Sequence, residues 1–137
     1  MIDQILLITG AAIFGALGTG HMVYTFFSNK FEPFDPAVAT AMKGTSPVIT
    51  KETTMWDAWI GFNASHSLGA LFVPAFYIPL ALGNMDVIHD NAWFSVLPLG
   101  MGLIYLVLAK RYWFKIPFIG ISIATACFAG AAILANT

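Results

Sequence analysis

The fold is decided at residues 58–84, which read AWIGFNASHSLGALFVPAFYIPLALGN. No Asp, Glu, Lys or Arg interrupts these 27 positions, and about 20 apolar residues suffice for an α-helix to cross the hydrocarbon core of a bilayer. Three further stretches without charged residues occupy positions 4–27, 91–109 and 116–136. All four are apolar on every side, whereas strands of a membrane β-barrel alternate apolar and polar residues. The sequence therefore predicts an all-α integral membrane protein.

The four stretches predict a bundle of four transmembrane helices in a single transmembrane domain spanning residues 1–137. We place the helices at about residues 4–27, 56–82, 91–110 and 116–135, with a short loop at 85–90. Composition agrees, because the chain is 58% hydrophobic and 9% charged, whereas about a quarter of the residues in soluble domains are charged. The first stretch should be retained rather than cleaved as a signal peptide, because only Asp3 and no basic residue precedes it.

The basic residues predict the orientation in the membrane. All six lie in two of the three loops, at Lys30, Lys43, Lys51, Lys110, Arg111 and Lys115. Since basic loops stay on the cytoplasmic side, loops 28–55 and 110–115 should be cytoplasmic and both termini non-cytoplasmic. Short loops favour the cytoplasmic (inner) membrane of a prokaryote. The basic residues are few and partly offset by acidic neighbours, so we expect no nucleic-acid partner. The expected surroundings of the chain are the lipid bilayer.

Two helix starts can be located in the first cytoplasmic loop. Asp35 is suited to cap a helix whose first residue is Pro36 and whose end is Gly44, which predicts a short interfacial helix. Thr54 and Asp57 have the spacing of a capping box at the start of the second transmembrane helix. We therefore interpret Asp57 as a helix cap and not as a catalytic carboxylate.

Two histidines lie inside the predicted spans, where an unpaired polar group is costly. From the helical rise, His21 and His66 lie about 9 and about 13 Å from the same interface, so the imidazoles should approach a common level. Helical periodicity places further residues on the same inward face as each histidine. They are Gly10, Phe14, Leu17, Gly18, Tyr24 and Thr25 with His21, and Trp59, Phe62, Asn63, Ala70, Val73 and Tyr77 with His66.

Three interpretations of this histidine pair are open. In the first, the polar side chains satisfy one another by hydrogen bonds between helices: His21, Thr25, Asn63, His66 and Ser67. In the second, both imidazoles ligate haem b, with room for the ring at Gly18 and propionate partners at Lys110 and Arg111. In the third, one imidazole binds a quinone or another apolar ligand. The candidate cofactor-binding residues are His21, His66, Asn63, Thr25 and Gly18, and no metal is expected unless the two histidines hold haem iron.

In length, four-helix topology and a long cytoplasmic first loop, the chain resembles the membrane-associated proteins of eicosanoid and glutathione metabolism. Asn63-Ala-Ser-His66 falls where that family has a polar motif in its second helix. The resemblance implies a trimer that binds glutathione between subunits, and hence a small membrane enzyme acting on glutathione or lipids. The family's Arg and Glu of that helix have no counterpart in residues 62–82, so no functional residue is transferred from it.

The leading hypothesis from the sequence is a non-enzymatic accessory protein, working as a homo-oligomer or as a subunit of a larger membrane complex. Gly61, Ser65 and Gly69 form a small-residue stripe that allows another helix to approach closely. The spans contain no internal Asp or Glu, which argues against a carboxylate-coupled proton exchanger and a carboxylate-bridged di-metal site. No Ser-His-Asp or Cys-His arrangement can be recognised.

Overall fold

The chain is all-α in a computed structural model that describes residues 1–137. In order, the helices are α1 (Ile2–Phe27), α2 (Pro36–Gly44), α3 (Met55–Gly83), α4 (Met85–Asp90), α5 (Ala92–Tyr112) and α6 (Lys115–Ala135). Four of them, α1, α3, α5 and α6, are long and apolar enough to cross a membrane. The predicted four-helix membrane fold is confirmed, and each of these helices begins and ends within two residues of its predicted position.

The two helix starts in the first loop have the predicted local structure. Asp35 Oδ1 accepts a hydrogen bond from the backbone N–H of Ala37 at 2.8 Å, and Pro36 is the first residue of α2. At the start of α3, Thr54 Oγ1 accepts from the backbone N–H of Asp57 at 3.1 Å and donates to its carboxylate at 2.7 Å. Thr54 is therefore the capping residue of α3, and the Asp57 carboxylate holds its hydroxyl in place at the start of the helix.

Residues 85–90 form helix α4, and the prediction of a loop there was wrong. Charged and polar residues gave this segment the composition of a loop, but its Ile88 side chain is buried in the hydrophobic core. His89 Nε2 also lies 2.6 Å from Asp3 Oδ2 at the start of α1. Since so short a helix is not stable alone, these tertiary contacts hold it, and they leave no periodic pattern in the sequence.

The chain divides into two compact units. Residues 1–17 and 70–137 make up the first unit, whose core includes the fully buried rings of Phe14 and Phe128, with centroids 5.7 Å apart. Residues 18–69 make up the second unit, which contains the end of α1, the whole of α2 and the first half of α3. The candidate cofactor-binding residues named from the sequence all belong to the second unit.

Large apolar side chains cover the outside of the four long helices. Only 22–33% of the most apolar window of each helix is buried within the chain, and Phe72, Val107 and Ile133 are among the exposed side chains. In water so much exposed apolar surface would drive aggregation, whereas in a bilayer it contacts the acyl chains. The chain is therefore a multi-pass membrane protein.

Three residues expected on inward faces are exposed instead. Phe62 of α3 is 74% exposed, and Trp59 of α3 and Tyr24 of α1 are exposed as well. The helical wheel assigned these residues to a sector about 120° wide around each histidine. Because only 28% of the most apolar window of α1 and of α3 is buried, the buried stripe of each helix is narrower than that sector. Asn63, Ala70, Val73 and Tyr77 of the same predicted face are buried.

Gly10 allows close packing inside the first unit, and this gives a testable prediction. A Cβ atom at Gly10 would lie 2.6 Å from Cε1 of Phe128 and 3.1 Å from the carbonyl oxygen of Ala124. Because Phe128 is fully buried against Phe14, its ring has little freedom to move. We expect Gly10→Ala to lower the free energy of unfolding by about 1–3 kcal/mol, measured by titration with SDS in mixed micelles.

Gly20, on the same helix, provides the matched control. A Cβ atom there would meet nothing within 4 Å, so Gly20→Ala should be neutral or slightly stabilising, since alanine has the higher helix propensity. Equal unfolding midpoints for the two variants would contradict the close packing at Gly10.

Candidate functional site

The two intramembrane imidazoles lie in contact within the second unit. The ring centroids of His21 on α1 and His66 on α3 are 5.0 Å apart, and the ring planes meet edge to face at 67°. Both side chains are partly buried. The two histidines therefore share one location, as the depths calculated from the helical rise indicated.

Asn63 fixes the orientation of the His21 ring. The Nδ2 group of Asn63 donates to the carbonyl oxygen of Trp59 at 2.8 Å, which turns Oδ1 toward His21. His21 Nε2 lies 2.9 Å from that oxygen. Since a carboxamide oxygen only accepts hydrogen bonds, Nε2 is the donor and carries the proton. In the neutral imidazole this arrangement makes Nδ1 an acceptor.

The hydroxyl groups near the pair bind their own helices. Thr25 Oγ1 donates to the carbonyl oxygen of His21 at 2.8 Å, and Ser67 Oγ donates to that of Asn63 at 2.9 Å. Such bonds to the preceding turn are common for Ser and Thr inside helices. Of the predicted mutual network, the bond from His21 to Asn63 thus joins two helices, while the hydroxyl groups of Thr25 and Ser67 donate to backbone carbonyl oxygens of their own helices. Gly18 is buried one turn before His21.

Phe31 packs against His21 and is a residue of the candidate site that the sequence did not reveal. Its ring centroid lies 4.3 Å from that of His21, and the two planes are tilted by 39°. Trp59 Nε1 donates to the carbonyl oxygen of Phe31 at 3.0 Å, which ties the loop after α1 to α3. A loop residue has no helical periodicity, so the only signal for Phe31 was an aromatic side chain beside a proline-rich turn.

The ring geometry bears on whether haem fits. An imidazole nitrogen lies about 2 Å from a metal ion that it ligates, and a bis-histidine haem places the whole macrocycle between the two rings. His21 and His66 instead contact each other directly at 5.0 Å, and His21 Nε2 is engaged with Asn63. In this arrangement the pair has no room for a porphyrin, so the site does not fit haem b.

Four apolar spans and an outward apolar surface define the class of this chain as a small integral membrane protein. Comparison with protein-family models, with curated proteins and with solved structures finds no match in any of the three.

Proposed function

We propose that the chain is a non-enzymatic accessory membrane protein that binds an apolar ligand with a hydroxyl group, of the quinol type, beside His21 and His66. The observation that carries this proposal is the His21–Asn63 hydrogen bond of 2.9 Å. Because that bond makes Nε2 of His21 the donor, Nδ1 is the nitrogen of the ring that can accept from a ligand hydroxyl.

The surroundings of His21 suit an aromatic ligand ring. Phe31 and His66 supply aromatic faces within about 5 Å of the His21 ring, and aromatic rings pack favourably in offset or edge-to-face contacts. A site with mostly apolar walls and one oriented polar atom is typical of small-molecule recognition. A quinol head group offers both a flat ring and a hydroxyl donor.

Calorimetric titration with a short-tailed benzoquinol tests the proposal, with the protein in lipid nanodiscs and empty nanodiscs as the reference. We expect saturable binding, with a Kd on the order of micromolar. Heats indistinguishable from those of empty nanodiscs would contradict it. If protein expressed with haem supplied shows a Soret band, the ligand of the site is haem b and not a quinol. Saturable glutathione binding would instead favour the glutathione- or lipid-metabolising enzyme.

We also propose that the protein works as a homo-oligomer or within a larger complex of the inner membrane, with both termini non-cytoplasmic. Gly61 and Ser65 of the small-residue stripe are exposed, and a Cβ atom at Gly61 would meet nothing within 4 Å, so a neighbouring helix could approach that face. The six basic residues of the two loops support the orientation. A monomeric particle in nanodiscs with no co-purified partner would contradict the assembly.

A further inference from the structure

A cleft lies in the second unit, where the loop after α1 meets Met42 of α2 and Trp59 of α3, and its Phe31 wall also contacts His21. Its volume is about 350 Å³, and its lining residues are Lys30, Phe31, Glu32, Pro33, Met42 and Trp59. Four of these six supply an apolar or aromatic wall, and the other two carry opposite charges. The cleft thus combines an apolar surface with a cation and an anion.

Neither charge of the cleft is neutralised by another side chain. The ion pairs in the structure all involve Asp3, so Lys30 and Glu32 are paired neither with each other nor with a third group. Two unpaired opposite charges over one cleft are complementary to a ligand that also carries both signs. A singly charged ligand would be attracted by one of them and repelled by the other.

The walls of the cleft are held in place by contacts that do not involve the two charged groups. Trp59 Nε1 donates to the carbonyl oxygen of Phe31 at 3.0 Å, and the backbone N–H of Glu32 donates to the carbonyl oxygen of Asn29 at 3.1 Å. Further along the loop, the backbone N–H of Met55 binds the carbonyl oxygen of Thr45 at 2.8 Å. A ligand therefore finds the apolar wall already formed, which lowers the entropic cost of binding.

The position of the cleft indicates where its ligand comes from. It follows Phe27, the last residue of α1, and reaches Trp59 in the second turn of α3, so it lies where two membrane-spanning helices leave the apolar core. Phospholipid head groups occupy that boundary, and tryptophan is enriched there.

We propose that this cleft binds the head group of one zwitterionic phospholipid. Lys30 contacts the phosphate and Glu32 contacts the ammonium group, while the glycerol and the first acyl carbons pack on Phe31, Met42 and Trp59. A soluble zwitterion such as phosphoethanolamine has the same charges but lacks the apolar part, so it should bind far more weakly. This site is distinct from the one proposed for a quinol, although both use Phe31.

Native mass spectrometry of protein released from nanodiscs tests the site, with equal amounts of phosphatidylethanolamine and phosphatidylglycerol in the bilayer. The wild type should retain one phosphatidylethanolamine in preference to phosphatidylglycerol. Lys30→Gln combined with Glu32→Gln should reduce that preference by about two- to thirtyfold, the range expected for two exposed charge contacts. Excess phosphoethanolamine should not displace the lipid; displacement would show that the site takes the free zwitterion and overturn the lipid assignment.

The single variant at Glu32 gives the sharpest outcome. Glu32→Gln leaves only the Lys30 cation, so the preference should change toward anionic phosphatidylglycerol. The matched control is Lys51→Gln combined with Glu52→Gln, an exposed pair of the same charges in the same loop that does not line the cleft. The proposal fails if the wild type prefers phosphatidylglycerol, if Glu32→Gln leaves the preference unchanged, or if the control pair has an equal effect.

Discussion

Phe14→Ala should lower the free energy of unfolding by about 3 kcal/mol, the lower end of the range for truncating a buried phenylalanine. Phe14 is 0% exposed, and its ring lies 5.2 Å from that of Tyr105 on α5 and 5.7 Å from that of Phe128 on α6. Truncation therefore leaves a cavity where three helices meet. We expect the lower end of that range because helices that unfold in a membrane or micelle remain in an apolar environment. The lost free energy of unfolding therefore comes mainly from lost packing and not from transfer of the side chain to water.

Phe72→Ala is the matched control for this prediction. The Phe72 side chain is 71% exposed on α3 and belongs to the outward apolar surface, so its truncation should change the free energy of unfolding by less than about 0.5 kcal/mol. Both variants are compared with the wild type by titration with SDS in mixed micelles. Similar losses for Phe14 and Phe72 would mean that the aromatic cluster is not the core of the first unit.

The transmembrane helices could be predicted from the sequence because hydropathy is a sum over many residues. A run of about 20 apolar positions is typical of a membrane span, and two missing or added residues at an end do not change it. Helix α2 could be predicted for another reason, since the Asp35 cap and the Pro36 start act within a single turn. Helix α4 could not, because the burial of Ile88 and the contact of His89 with Asp3 arise from distant parts of the chain.

The geometry of the candidate site could be predicted only where its residues lie on regular helices. The rise per residue placed His21 and His66 at similar depth, and Asn63 lies one turn from His66 on the same face. Phe31 and the cleft depend on how the loop folds back over α3, which periodicity does not describe. Phe62 was assigned to the wrong environment for a related reason: a helical wheel gives directions, but it does not show where a neighbouring helix ends.

His21→Phe should weaken binding of the short-tailed quinol by about 10- to 100-fold, the effect of losing one well-placed hydrogen bond and leaving the ligand hydroxyl unpaired. Phenylalanine keeps an aromatic ring against Phe31, whose centroid lies 4.3 Å from that of His21. The substituted phenylalanine lacks the Nδ1 acceptor of the imidazole. The loss of affinity would therefore report the hydrogen bond rather than the packing of the ring, and calorimetry in nanodiscs measures it.

Asn63→Leu should have an intermediate effect on quinol affinity. The His21 ring remains, but its Nε2–H loses the oxygen at 2.9 Å that fixes the proton on that nitrogen, so Nδ1 is no longer held as the acceptor. Ser65→Ala on the same helix is the control, because the exposed Ser65 hydroxyl binds only the carbonyl oxygen of Phe62. The order of affinities should be wild type and Ser65→Ala, then Asn63→Leu, then His21→Phe. If Asn63→Leu binds the quinol as tightly as the wild type, the amide does not orient the imidazole for a ligand, and its bond to His21 only joins the two helices.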